Sequence, residues 1–240
     1  MARVESDHWW YRGLRDLVAA KLESRISGEM TILDAGCGTG GTIEMLGRRF
    51  PSARIIGIDI SPLAISHARK KDGGSIALGS INSLPVADSS IDAIAALDVI
   101  YHVGVDEKMA FGELIRVLKP EGVVVINLPA YEWLRSDHDL AVHTAHRYTT
   151  GQIRAKATAA GFDILMCQYR NSFLFPLMLG QRFLRKFRGP VASQSAVNLP
   201  WLPINYLFGT VVALENTLIR LGFKFPAGGS VFALLKKRTG

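Results

Sequence analysis

The chain has 240 residues, 48% of them hydrophobic, with 28 Lys and Arg against 21 Asp and Glu and two cysteines. That length supports one sizeable globular domain with an embellishment, and the composition excludes a low-complexity or fibrous chain. Cys37 and Cys167 supply neither a disulfide framework nor a metal-ligand cluster, so no metal site is expected and a reducing compartment is the default.

The net charge of +7 is unevenly placed. Residues 1–170 carry 19 basic and 20 acidic side chains, whereas residues 171–240 carry 9 and 1. A basic, apolar segment on a nearly neutral body points to an anionic surface or substrate, membrane headgroups first. The first ten residues include Arg3, Glu5, Asp7 and His8 and lack the apolar core of a secretory signal. A cytoplasmic protein is expected, with peripheral contact at the inner membrane face through residues 171–225.

The elements read in order as follows. Trp9, Trp10, Leu14, Leu17, Val18 and Leu22 recur near helical spacing, so residues 8–24 form an amphipathic helix. A strand over 31–34 leads through a glycine turn into a helix over 41–49 and a second strand over 54–59. Ser61-Pro62 supplies an N-cap and a first-turn proline for a helix reaching about residue 70. Strands over 75–78 and 93–97, a helix over 107–118 and a strand over 123–127 follow. Thr149 or Thr150 caps the next helix, Gly161 ends it, and residues 164–169 form the sixth strand. A last strand, 230–235, stands apart. Alternating strands and helices imply a parallel sheet with ligands at the carboxyl ends of its strands.

The run Ile32-Leu33-Asp34-Ala35-Gly36-Cys37-Gly38-Thr39-Gly40-Gly41, followed by Ile55-Ile56-Gly57-Ile58-Asp59, places a glycine turn between two strands that each end in an acid. That is a nucleoside-cofactor pattern. Gly36, Gly38 and Gly41 also satisfy the G-x-G-x-x-G spacing used for dinucleotides. Asp34 argues against a dinucleotide, because an acid before the turn would face a pyrophosphate seated on the helix N-terminus. It suits a cation. S-adenosylmethionine carries an ammonium and a sulfonium and no phosphate, so Asp34 can hold its methionine end while Asp59 accepts from the ribose hydroxyls.

Leu33-Asp34-Ala35-Gly36-Cys37-Gly38-Thr39-Gly40 resembles motif I of the class I S-adenosylmethionine-dependent methyltransferases. Residues 84–92, Leu97-Asp98-Val99-Ile100-Tyr101-His102-Val103 and Leu118-Lys119-Pro120-Glu121-Gly122 resemble the family's later segments, in order. The resemblance covers most of residues 30–170. It implies an α/β, Rossmann-like seven-stranded sheet with helices on both faces and an antiparallel last strand beside the sixth. The cofactor set it implies is Asp34, Gly36, Cys37, Gly38, Gly40, Asp59, Ile60, Ser80, Ile81, Asn82, Asp98 and Val99. Ser80 stands where many relatives have an acid for the adenine amino group, so the adenine is expected to rest on Ile81 and backbone groups.

One domain is expected: an N-terminal helical cap over 1–29, a cofactor-binding core over 30–170, an insert over 171–229 and the final strand over 230–240. A sixty-residue connection without structure of its own is unlike a compact domain, so helices are expected in it. Residues 173–188 pair apolar side chains with Arg182, Arg185, Lys186 and Arg188. Residues 199–214 are nearly all apolar, interrupted by Pro200, Pro203 and Asn205 and closed by Glu215-Asn216. A segment so broken reads as an interfacial anchor or a lid over a greasy substrate, with ordinary packing of a cap as the competing reading.

Methyl transfer from a sulfonium is an in-line displacement that needs alignment and exclusion of water, and an oxygen nucleophile also needs a base. Histidine fits that role. His102 follows the fourth strand, where the family often has a structural histidine. Asp137-His138-Asp139 with His143, His146, Arg147 and Tyr148 forms a denser cluster. With His8-Trp9-Trp10-Tyr11-Arg12 it resembles a subgroup of small bacterial methyltransferases carrying His-x-x-x-Arg-Tyr-Thr before the following helix. His143 is read as base or substrate orienter and Arg147 as holder of an anionic or polar group, with Arg147 and Tyr148 bracing the following helix against the N-terminal segment as the alternative. Trp10, Tyr11, Arg12, Tyr101 and Tyr131 are the candidate substrate wall.

The expected activity is S-adenosylmethionine-dependent O-methylation of a small, apolar or anionic, lipid-linked metabolite. Cofactor binding with non-methylating chemistry such as a cyclisation, and a nucleic-acid methyltransferase, are the alternatives. A nucleic-acid partner is not expected: Asp98-Val99-Ile100-Tyr101 is unlike the Asn-Pro-Pro-Tyr of base-amino methyltransferases, and the basic surplus lies among apolar residues.

Overall fold

The computed structural model describes residues 5–25, 28–71, 74–188 and 200–238, with the side chains of 137–138 and 182–188 outside that description. An N-terminal helix α1 (Trp9–Glu23) precedes β1 (Thr31–Ala35), α2 (Gly41–Arg49), β2 (Arg54–Asp59), α3 (Pro62–Ala68), β3 (Ser75–Leu78) and β4 (Ile91–Leu97). Then come α4 (Glu107–Val117), β5 (Leu118–Pro129), α5 (Asp137–Ala141), α6 (Thr150–Ala159) and β6 (Phe162–Arg170). The helices α7 (Phe175–Arg188) and α8 (Leu202–Arg220) separate β6 from β7 (Ser230–Lys237).

The strands form one sheet in the order β3-β2-β1-β4-β5-β7-β6. β7 runs antiparallel to β5 and β6, and the other pairings are parallel. Side chains alternate between two faces along each strand, so the sheet has a core on either side. Leu33, Ala35, Ile94 and Ala96 face Phe111 and Leu114 of α4 and Ile153 of α6. Ile32, Ala93 and Ala95 face Leu17 and Leu22 of α1, Leu46 of α2 and Ile219 of α8. Ser61 caps α3 by accepting from the Ala64 N–H at 3.2 Å. Thr149 and Gln152 form a reciprocal capping box on α6.

Two segments depart from the sequence reading. β5 begins at Leu118, ahead of the expected 123, and residues 119–122 bulge between the pairs Ile91–Leu118 and Ala93–Val123, with Glu121 at φ 65 and the Lys119 ammonium 2.8 Å from Asp92. α8 neither breaks at Pro203 nor closes at Glu215-Asn216. Pro203 sits in the first turn, where a missing N–H costs no helical bond. Glu215 and Asn216 face inward: Glu215 accepts from the Asn171, Ser172 and Phe173 N–H groups at 2.5, 2.7 and 3.1 Å. Asn216 donates to the Gly13 carbonyl at 2.8 Å, tying α8 to α1. Polar residues inside an apolar run therefore mark a buried contact, not an end.

Candidate functional site at the carboxyl ends of the strands

β1 ends in Asp34 and Ala35, both buried, and the chain turns through Gly36 at φ 84 and Gly38 at φ 52. A Cβ at Gly36 would lie 2.6 Å from Val99, so the residue after β4 packs directly under the turn. A Cβ at Gly38 would meet nothing within 4 Å, so that backbone is open to a ligand. Asp59 braces the turn: it accepts from the Gly38 N–H at 2.8 Å and the Ser61 N–H at 2.8 Å. Each carboxylate oxygen keeps a second lone pair for a further donor.

Asp34 is 1% exposed, and its Oδ2 has no hydrogen-bond partner among the described residues. Burial, with the nearby Glu5 and Asp59 charges, holds its carboxyl well above the ordinary range. Such a group needs a cation or a donor. Glu5 lies against the same turn, accepting from the Thr39 hydroxyl and standing 3.8 Å from Arg15 and 3.7 Å from Lys71. Its position was not legible in the sequence, where the first residues show no pattern.

The comparisons with known proteins agree with this geometry. A family model described as a methyltransferase domain matches residues 33–126. A "probable S-adenosylmethionine-dependent methyltransferase" of Mycolicibacterium smegmatis is 26% identical over 67% of this chain and 62% of its own. The tRNA (carboxymethyluridine(34)-5-O)-methyltransferase of Arabidopsis thaliana is 40% identical over 67% of this chain and 38% of its own. Phosphoethanolamine N-methyltransferase 2 of Haemonchus contortus, solved with S-adenosylmethionine, superposes with TM-score 0.62 at 18% identity over 96% of this chain and 53% of that one. Over residues 33–126 the chain is a methyltransferase domain, and its fold is that of S-adenosylmethionine-dependent methyltransferases. It spans 42%, 62% and 38% of the length of three of the curated relatives it matches.

The residues at the turn fit this family's cofactor: a buried acid short of a partner, an open glycine and a second acid one strand over. Cys37 is buried beside them, its thiol pushed up by desolvation and by Asp34 and Asp59. Gly40 caps α2 with φ 85. Ile81 is buried, whereas Ile60 is exposed. Ser80 accepts from the Asn82 N–H at 3.2 Å, and the Asn82 side chain spans to Gly104 and Asp106 at 2.9 and 3.1 Å. Asn82 thus ties its loop to the loop after β4.

Asp98 follows β4 at φ 55 and accepts from the Asn127 amide at 2.9 Å. Burial pushes its pKa up to about 7, against the pull of that bond and of Arg170. The Tyr11 hydroxyl, raised to about 12 by burial and then by Asp98, shares this environment, as does Tyr101, raised mainly by burial. Trp10 and Tyr11 meet edge to face at 5.0 Å. Tyr131 joins a separate aromatic group, stacked on Tyr169 at 4.8 Å and near Phe175 at 5.9 Å. Arg12 points elsewhere, into an 810 Å³ groove between α1 and α8 that Trp9, Trp201 and Tyr206 also line.

The stretch before α6 divides. Residues 143–145 lie along the loop after β4, with the Val103 N–H on the His143 carbonyl at 2.9 Å and the Ala145 N–H on the Tyr101 carbonyl at 2.8 Å. His143, at φ 56, and His146 are exposed, while His102 is half-buried with its ring 4.5 Å from Tyr101. Arg147 is not placed to hold a substrate anion. It donates to Asp139 at 2.8 and 3.2 Å and to the Ala130 carbonyl at 2.9 Å, all buried. Burial pushes the Asp139 carboxyl up, but Arg147 and Ser136 more than offset it and hold it below its ordinary range. Tyr148 is a core residue, its hydroxyl donating to Glu107 at 2.8 Å. Both polar tips are bonded within the protein, but to Asp139, the Ala130 carbonyl and Glu107 rather than to the N-terminal segment. The side chain of His138 lies outside the described residues.

Proposed function

We propose that this protein transfers a methyl group from S-adenosylmethionine to an oxygen of a small-molecule acceptor. The observation that carries the reading is Asp34, a buried carboxylate with an unpartnered oxygen behind an open glycine turn. When bound, the sulfonium supplies an electrophilic methyl group. Asp34 receives the positive charge of the methionine end, Asp59 accepts from ribose hydroxyls, and Ile81 with the backbone of 80–82 holds the adenine. Trp10, Tyr11 and Tyr101 exclude water from the acceptor side. His102, half-buried at the β4 exit, takes the acceptor's proton; His143 and His146 do so only if the acceptor covers them. The test is calorimetry with S-adenosylmethionine, then release of S-adenosylhomocysteine with a panel of hydroxylated acceptors and with tRNA. Tight binding with turnover of a small acceptor supports the reading; binding without turnover on any acceptor favours non-methylating chemistry, and turnover on tRNA alone overturns the small-molecule assignment.

The partner surface we propose is an anionic membrane face, reached from the cytoplasm. α8 is long and apolar enough to cross a bilayer, with mean hydropathy 1.2 and 22% of that window buried. Trp201, Leu202, Tyr206 and Leu207 are exposed on it. The single acid of residues 171–240, Glu215, is 1% exposed, so the charge this segment presents is basic. Exposed apolar side chains on a segment whose net charge is basic suit an interfacial helix. Flotation with phosphatidylglycerol vesicles tests this: Trp201→Ser with Leu202→Ser should release the protein, and equal flotation would overturn the contact.

A further inference from the structure

The buried polar group with the least satisfaction outside the glycine turn is Arg170, the last residue of β6. It is 0% exposed, and Nε, Nη1 and Nη2 all lack hydrogen-bond partners among the described residues. A guanidinium has five N–H donors, and burying it without acceptors costs several kcal/mol. The nearby anions do not relieve it. Glu215 Oε2 accepts from the Ser172 and Phe173 N–H groups, Oε1 from that of Asn171, and Asp98 Oδ1 from Asn127, so these anions are aimed at other donors. Both act on Arg170 only through their charge, and neither comes within ion-pair distance among the described residues.

The position of this fork matters. β6 is parallel to β4, so its carboxyl end lies on the same edge of the sheet as Asp34 and Asp98. The guanidinium carbon sits 6.0 Å from the Trp10 ring centre, and Nη2 would lie 3.7 Å from a Cβ on Gly13. Gly13 also lines the groove between α1 and α8, with the buried Val212 side chain packed against the same side of that glycine. Nearby, Asn127 Oδ1 and Ser172 Oγ are likewise buried and unpartnered. The charge balance from Glu215 and Asp98 makes a buried cation tolerable, while its hydrogen-bonding face is left for a planar or tetrahedral oxyanion.

We propose that Arg170 is the anchor for an oxyanion of the methyl acceptor, a carboxylate or a phosphate, held at the α1 side of the sheet's carboxyl edge. This deepens the methyl-transfer reading and rests on it only for naming the oxyanion as part of the acceptor. The experiment titrates the full chain, loaded with S-adenosylhomocysteine, with inorganic phosphate, diphosphate and succinate, following binding by calorimetry and Tm. Wild type should bind at least one of them; Arg170→Met should bind at least tenfold more weakly with unchanged S-adenosylhomocysteine affinity, and Arg170→Lys should fall between. Preference for phosphate or succinate assigns the oxyanion. Absence of binding to all three, or equal binding by Arg170→Met, overturns the anchor. Arg170→Met should also keep or raise Tm in the absence of anion, since it removes an unsatisfied charge; a large fall in Tm would show that the fork is structural. Failure of S-adenosylhomocysteine binding would instead sink the methyl-transfer reading, and leaves the oxyanion titration interpretable in the unloaded protein.

Discussion

The two ends of the ligand side are built differently. The cofactor end, from β1 through α2 to β2, is made by 29 consecutive residues whose roles follow from local chain geometry: a strand, a glycine turn, a helix and a second strand. The acceptor end is assembled from α1, the loop after β4, the last residues of β5 and β6, and α8, residues as far apart as Gly13 and Asn216. In the first region glycine positions report on backbone approach, and the acid directly before the turn, Asp34, keeps an oxygen without a partner among the described residues. In the second, residues that look free in sequence, such as Arg147, are spent on bracing, while the unspent group is Arg170.

Substitutions can break this contrast. The largest effect is expected at Arg147: removing it leaves Asp139 buried without its partner, which costs about 3–5 kcal/mol, so Arg147→Ala should lower Tm steeply. A loss of turnover with unchanged Tm would return Arg147 to the substrate. Asp34→Asn should weaken S-adenosylmethionine binding by roughly 10- to 100-fold, the scale of a charge-assisted hydrogen bond, without lowering Tm.

The sign of the Asp34 effect with pH follows from its raised pKa. In the free protein the carboxyl is protonated over a range where an exposed acid is not, and a bound cation favours the ionised form. Affinity should therefore rise with pH and binding should release a proton, seen as a buffer-dependent enthalpy that Asp34→Asn abolishes. A buffer-independent enthalpy in wild type would mean that Asp34 is not the cation's partner.

Asp98 gives a smaller effect of related sign. Its folded pKa of about 7 lies above the unfolded value of about 3.9. Stability from this group is therefore present below about pH 4 and lost as pH rises towards 7. Asp98→Asn should raise Tm over wild type at pH 8 and lose that advantage at pH 4; equal curves would refute the buried-acid assignment. The smallest expected change is at Thr149, where removing the α6 cap by Thr149→Ala should cost about 1 kcal/mol and leave cofactor affinity unaltered. A loss of cofactor affinity there would mean the two ends are not independent.

What could be read along the chain depended on how local the cause was. The range of α2 and of β2 and the antiparallel β7 beside β6 follow from periodicity, caps and family resemblance. A threonine cap on α6, Thr149 or Thr150, followed from the place of the pair before a helical pattern, and the structure selects Thr149. The path of α8 did not follow, because Pro203 and Glu215-Asn216 read as breakers until the first-turn place of Pro203 and the partners of Glu215 at the β6 exit and of Asn216 on α1 are known. His143, Arg147 and Tyr148 formed a chemically dense string, yet sequence neighbours on an irregular segment diverge: His143 faces solvent, while Arg147 and Tyr148 turn inward.

The sequence by itself determined the sheet, its helices and the cation-seeking glycine turn, since each arises from contacts within a few residues or one strand–helix–strand unit. Only the tertiary structure decided which charges are spent. Whether an arginine is bonded or bare depends on what distant elements bring beside it: Asp139 lies eight residues from Arg147, but the atoms around Arg170 come from α1, β4 and α8.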